Sequence, residues 1–469
     1  MPLELSRVLV VLASASIAIS RSTAGEFDTL SDQFGNIRTL AGIHHATTTN
    51  PDGTAVNFWT AQSEGALATT VGLSNPHIAA ADAYGNVYVA DKSSHAILKI
   101  TTDGRIHTFA GFHESGFNGD GPAPATQLAI ASPNGLFVFP NGTVYLLDPG
   151  NQRIRRVATN GIMTTVVHDP EPNWHPSGRA LWVSPDEQLI YYTHEFKPLV
   201  VDGVTNAFAD GAVLKQWTPA KGIEVVCSKS VGFRNPANLA VNPVTGRLYV
   251  CDRAEEDVFK QATGVFRIDG PDQRTRMTGN VDQLPPADGQ TAIDSFIEGP
   301  RGIAFRADGS YFICGHRNGS VWFVDTQGII HQYLRGKGSK DVYILADGMH
   351  PPLVEADYFS QPRAVTLAPN GNLIVVSNDS GYVFQVANTT PPPPLTNVHV
   401  TVDPREGTRL SWTGVFGRGY RIERSLELGT PHWQPLDAVA GGAPNGAADY
   451  VDPTPPTNPT TFYRLLPAQ

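Results

Sequence analysis

Hydrophobic and polar positions alternate along this chain in short bursts. From Ser132 to Val157, "SPNGLFVFPNGTVYLLDPGNQRIRRV" reads as strand, turn, strand, turn, strand: apolar runs a few residues long, separated by Pro, Gly, Asn and Asp. The same pattern recurs in "NPHIAAADAYGNVYVAD", "HPSGRALWVSPDEQLIYYTHE", "NPANLAVNPVTGRLYVCD", "GPRGIAFRADGSYFICG" and "QPRAVTLAPNGNLIVVSN", which makes six copies. Their leading prolines, at 76, 133, 176, 236, 300 and 362, lie about 40 to 65 residues apart, the spacing of propeller blades.

A third strand follows each pair ("AILKI", "RIRRV", "AVLKQW", "GVFRI", "SVWFV", "YVFQV"), and a fourth follows most, such as "IHTFAG" and "IMTTVV". The continuous apolar first strands fit inner strands covered on both faces. "NIRTLAG" at 36–42 resembles a fourth strand with nothing before it, whereas the last copy lacks one. Giving that orphan to the last copy ties the ends of the ring and removes two open edges. The expected fold class is therefore all-β: a six-bladed β-propeller over 30–388 followed by a small β-sandwich.

Composition supports this reading. With 45 Gly and 37 Pro against 17% charged residues, the chain favours short strands and tight turns over helices. A net charge of −10 without a long basic run excludes nucleic acid as a partner. At the N-terminus, Arg7, the apolar run Val8–Ile19 and the small residues Ser22, Thr23 and Ala24 form a signal-peptide layout. Cleavage is expected after Ala24, so residues 1–24 are removed and the product is secreted or periplasmic, with no membrane span after processing. The competing reading is an N-terminal membrane anchor. Cys227, Cys251 and Cys314 are three, an odd number, and they are expected to be buried strand thiols rather than a disulfide framework.

The segments "IRTLAG", "IHTFAGFHESGFNGDGPAPATQLAIASPNGLFVFPNGTVYLLDPGNQRIRRV" and "GIMTTVV" resemble the NHL-repeat family of β-propellers. The second copy matches best; the third carries an insertion from Phe196 to Asp210, and the last three have lost the "AG…GDG" preamble. The resemblance specifies a fold and leaves function open, because propellers host enzymes and binding scaffolds alike. After the spacer "ANTTPPPPLTN" (with the linker placed at 389–397), residues 398–469 resemble a fibronectin type III-like sandwich that is short by one or two edge strands. Its Trp412, Tyr420, Trp433 and Tyr463 are expected to be core and corner residues rather than a sugar platform.

In such a ring, the loop leading into each inner strand and the loop between the second and third strands open on one face. The first set offers His77, Asn134, Ser177, Ala237 followed by Asn238, Arg301 and Arg363; the second offers Asp91, Asp148, His194, Glu195, Asp252, His316, Asn378 and Asp379. The ligand-binding candidates are Asn134, Asn238, Asp252, Arg301 and Arg363. The two arginines suit an anionic group, and the aspartates have a competing role as turn caps. His77, His194 and His316 are the candidate proton carriers of an enzyme.

Two enzyme families on six-bladed propellers bear on these positions. The chain resembles gluconolactonase-like calcium enzymes at "SPNGLFV", where Asn134 would match their Asn ligand; their early Glu and "PDG" Asp are not in place. The amidating lyases, also NHL-like, set a zinc-binding His after the Pro in three blades, and only His77 fits. The expected function is a secreted scaffold binding an extracellular protein, peptide or glycan. The alternative is an exported hydrolase or lyase acting on a lactone, ester or uronic sugar, with calcium as its cofactor.

Overall fold

The computed structural model describes residues 7–12, 26–44, 50–51, 56–170, 180–195, 199–201, 204–206, 211–253, 263–279, 288–317, 319–337, 347–358, 360–378, 380–392, 394–403, 405–428, 431–442, 446–454 and 460–469. Their architecture is all-β, built mainly from antiparallel sheets of four or five strands.

Each repeat folds into one sheet, and in four of the six the first strand begins at the leading proline. These first strands are β1 (Pro76–Ala81), β2 (Gly135–Val138), β3 (Leu181–Val183), β4 (Pro236–Val241), β5 (Pro300–Phe305) and β6 (Pro362–Leu367). β1 packs on β2, β2 on β3, and so on through β6, which returns to β1. The ring is thus closed. This is a propeller-type arrangement.

Second strands such as Val87–Asp91, Val144–Asp148 and Leu373–Ser377 are buried along their whole length, because adjacent sheets cover both their faces. The N-terminal strand Phe34–Ala41 runs antiparallel to Tyr382–Asn388 and completes the sheet of β6. Apolar clusters lie between neighbouring sheets; one joins Leu40 and Ala41 to Val89, Leu98 and Leu136.

Beyond the ring, Thr396–Asp403, Gly407–Thr413 and Ala447–Asp452 form one sheet. Gly419–Ser425, Gln434–Ala440 and Thr460–Pro467 form another, to which Arg7–Leu12 adds in parallel along Thr460–Leu465. The two sheets share a core of Leu410, Trp412, Tyr420, Ile422, Tyr463 and Leu465. Three of the four tail aromatics are therefore packing residues, and Trp433 lies under the Arg464 guanidinium, 4.4 Å from its ring centre.

Candidate functional site

A repeated irregularity at the start of the inner strands positions the candidate side chains. Pro76 pairs with Asp91 but Ile78 pairs with Ala90, so His77 is an extra residue in the ladder. Ala237, Arg301 and Arg363 are extra in the same way after Pro236, Pro300 and Pro362. Proline has no N–H to contribute, so the ladder can break there cheaply, and the bulge turns the next side chain out of the sheet's alternation.

Two of these bulged residues meet. Arg363 Nη1 donates to His77 Nε2 at 3.0 Å, and His77 Nδ1 donates to the Asn75 carbonyl at 2.9 Å. The network assigns this tautomer: a guanidinium only donates, so Nε2 must accept and the ring is neutral. Asn378 Nδ2 donates to the Pro76 carbonyl at 2.8 Å and also to Asn75 Oδ1, joining the last sheet to the first. His77 is buried, whereas Arg363 is half-buried.

Asn134 and Arg301 are almost wholly buried at the same end of their sheets, 1% and 2% exposed. His316 follows Gly315, the partner of Pro300, and its backbone N–H donates to the Gly299 carbonyl at 2.9 Å. Arg301 and His316 thus belong to one sheet end. Ser177 and Asp379 lie outside the described residues, as does the side chain of Glu195.

The aspartates ending the second strands are braces for the loops that carry these residues. Asp91 accepts the amides of Ser74 at 2.9 Å and Asn75 at 2.6 Å. Asp148 accepts the Ala131 amide at 2.8 Å and Arg155 Nε at 3.2 Å. Asp252, expected as a ligand-binding residue, is instead fully buried and accepts the amides of Arg234 at 2.9 Å and Asn235 at 2.8 Å, with Arg274 Nη1 3.9 Å away. Burial pushes its carboxyl up to about 6 against the pull of those amides and of Arg274.

His194 occupies the corresponding place in the sheet of β3, and it too has a structural setting. Lys215 Nζ and Tyr192 Oη each donate to Asp169 Oδ2 at 2.8 Å, and His194 Nδ1 lies 3.5 Å from Lys215 Nζ and 3.8 Å from Asp169 Oδ2. Burial pushes the Asp169 carboxyl up, but its neighbours His194, Lys215 and Tyr192 outweigh this and hold it below its ordinary value. The Asp169–Lys215 pair restores here the acid–base brace that Asp148 and Arg155 make in the preceding sheet. A lysine in the middle of an apolar third strand was its sequence signal.

Asn238 is also placed differently from expectation. The bulge at Pro236 gives the position equivalent to His77 to Ala237, and Asn238 lines the channel on the side of the turns between first and second strands. Cys227, Cys251 and Cys314 are free and buried, and burial pushes the Cys227 thiol up to about 11 and Cys314 to about 12. Among the described residues, no three His, Cys, Asp or Glu side chains are grouped as a metal site.

No family model and no curated protein matches the sequence. Several solved structures resemble the fold. A structural genomics protein of unknown function from Bacteroides thetaiotaomicron is 14% identical over 75% of each chain, with a TM-score of 0.51. An auxiliary nutrient binding protein from the same species is 10% identical over 76% of each chain, with a TM-score of 0.51. An auxiliary nutrient binding protein from Bacteroides ovatus is 13% identical over 76% of this chain and 78% of its own, with a TM-score of 0.50. At such identities the likeness concerns the fold alone.

Proposed function

We propose that this chain is an exported binding protein. In this reading a six-bladed NHL-type propeller, residues 30–388, is joined through the spacer 389–397 to a fibronectin type III-like sandwich, 398–469, after removal of residues 1–24, which takes away the strand Arg7–Leu12 and leaves the Thr460–Leu465 edge open in the processed chain. The loop face of the propeller holds the carboxylate of an extracellular glycan or peptide, with Arg363 as the anion-binding group and Arg301 and Asn134 beside it.

The contact between Arg363 and His77 carries the reading. The imidazole, itself fixed through the Asn75 carbonyl, holds one edge of the guanidinium in place at the loop end of the ring. The same contact disfavours the hydrolase or lyase alternative, because protonating His77 would set two cations 3.0 Å apart. His194 is likewise committed to the Asp169 cluster.

The test is calorimetric titration of the secreted protein, whose N-terminal mass should begin at Gly25, with trigalacturonate and with neutral maltotriose. The acidic sugar should bind and the neutral one should not. Arg363→Gln should weaken the acidic sugar about tenfold, the worth of a charge-assisted hydrogen bond, without lowering the melting temperature by more than a few degrees. Equal affinity for both sugars, no binding of either, or lactone or ester turnover abolished by His77→Ala would overturn the proposal.

A further inference from the structure

The channel through the ring differs at its two ends. At the loop end His77, Asn134 and Arg301 are buried. Toward the turns that join first to second strands, the inner strands open: Phe137, Trp182, Val241 and Leu367 are only half-buried, although each is large and apolar. The C-terminal module covers this wider end. Gly419 N–H donates to the Pro369 carbonyl at 2.9 Å, Gln469 N–H to the Ala83 carbonyl at 3.1 Å, and Asn370 Nδ2 to the Gln469 carbonyl at 2.8 Å. Between the two lies a cavity of about 800 Å³, walled by inner-strand residues such as Phe137, Trp182 and Phe305 and closed by Phe416 and Val439 of the module.

Most charges around this cavity are already matched. Glu187 accepts Arg156 Nε at 2.5 Å, Asp308 lies 3.5 Å from Arg306, and Asp449 accepts Arg409 Nη1 at 2.8 Å. Asp437 accepts the Ala438 amide at 2.8 Å and a bond from Asn141. Arg418 differs. Its guanidinium passes over Gly371, at φ +85°, so closely that any Cβ there would strike it, and among the described residues it has no carboxylate within ion-pair distance. Asn388 Nδ2 reaches the same spot. The Asn388 amide is oriented by its Oδ1, which accepts the Thr390 N–H at 2.8 Å, so that the donor end faces Gly371. Two donors, one of them a cation, thus converge at the lip of an apolar cavity.

We propose that the cavity between the ring and the C-terminal module is a second binding site, for an apolar molecule carrying a single carboxylate. The carboxylate sits on the guanidinium of Arg418 and the amide of Asn388, and the apolar body lies against Phe137, Trp182 and Phe305. An 800 Å³ space takes a molecule of small-drug size. Half-buried aromatic walls give the apolar body of such a molecule rings to pack against. Burial pushes the Arg418 guanidinium down in pKa, the mark of a cation partly stripped of water. This site is separate from the loop face, at the other end of the channel.

The probe is pyrenebutyrate, followed by quenching of tryptophan fluorescence in the full processed chain, with its methyl ester as the uncharged control. The acid should bind at one site per chain, and the ester about tenfold or more weaker. Arg418→Met should bring the acid down to the level of the ester and leave the ester unchanged. Ala80→Trp, which fills the cavity from the inner wall, should abolish binding of both, with melting curves reporting that each variant is folded. Excess trigalacturonate should not displace the probe. Equal binding of acid and ester by the unmodified protein, binding that survives Ala80→Trp, or no binding at all would overturn the proposal, and the first and last of these require no variant to fold.

Discussion

Removing the Asp148 carboxylate tests whether the aspartates at the ends of the second strands act as structural braces. Asp148 and Arg155 are both fully buried, and their side chains approach to 3.2 Å. In Asp148→Ala, the guanidinium keeps the Gly119 carbonyl at 2.9 Å and Thr165 Oγ1 at 2.8 Å, but its remaining carboxylate neighbour, Asp120, is 3.8 Å away and exposed. The Ala131 amide also loses its acceptor. Breaking one side of a buried ion pair costs about 3–5 kcal/mol, a range that includes the stranded amide because the two losses share one carboxylate. A folding unit the size of the 30–388 segment unfolds with an entropy of roughly 0.7 kcal/mol/K, so the expected fall in melting temperature is about 4–7 °C. Asp91 accepts two backbone amides, from the buried Ser74 and the half-buried Asn75, without an arginine partner, so Asp91→Ala should cost only about 1–3 kcal/mol. Urea unfolding of the two variants and of Asp148→Ala/Arg155→Met supplies the comparison, and the double variant should recover more than half of the single variant's loss. A loss below about 1 kcal/mol for Asp148→Ala, or equal losses for the two single variants, would refute the brace and its charge component respectively.

Asp252 makes stability depend on pH. Its folded value of about 6 lies above the ordinary carboxyl value near 3.9, so the proton it retains stabilises the fold fully below about pH 4, and that contribution is lost as pH rises through 6. Urea midpoints measured from about pH 4 to 7 should decline more steeply for the natural chain than for Asp252→Asn, and parallel curves would count against the shift. The three cysteines should resist a thiol-disulfide reagent near neutral pH in the native protein, since burial raises each thiol, and all 3 should react once the chain is unfolded. Rapid labelling of the folded protein would contradict their burial.

Much of the fold was legible because its signals are local. Apolar first strands, Gly turns and the prolines before them state where each sheet starts, and "NIRTLAG" without a preceding repeat called for a partner, which Tyr382–Asn388 supplies. The site was legible only as a set of positions. Ala237 and Asn238 are adjacent in sequence, yet the bulge after Pro236 decides which of them takes the place of His77, and register is not written in composition. The Asp169–Lys215 brace was half visible, as a lysine in a strand that aligns with Arg155, but its carboxylate comes from the end of the preceding sheet.

The strand-and-turn rhythm, the apolar inner strands, the aspartates poised to hold the loops and the separate character of the tail are all written in local sequence, because each depends on neighbours within a few residues. The pairings between distant segments came from the tertiary structure alone. His77 and Arg363 are separated by 286 positions and meet only because the ring closes. Arg418 lies over Gly371, at the lip of the wide end of the channel, only because the module docks there, and the cavity between them belongs to neither part. Contacts of this kind are set by how sheets pack and close on one another, a property of the assembled surfaces that no local pattern of residues encodes.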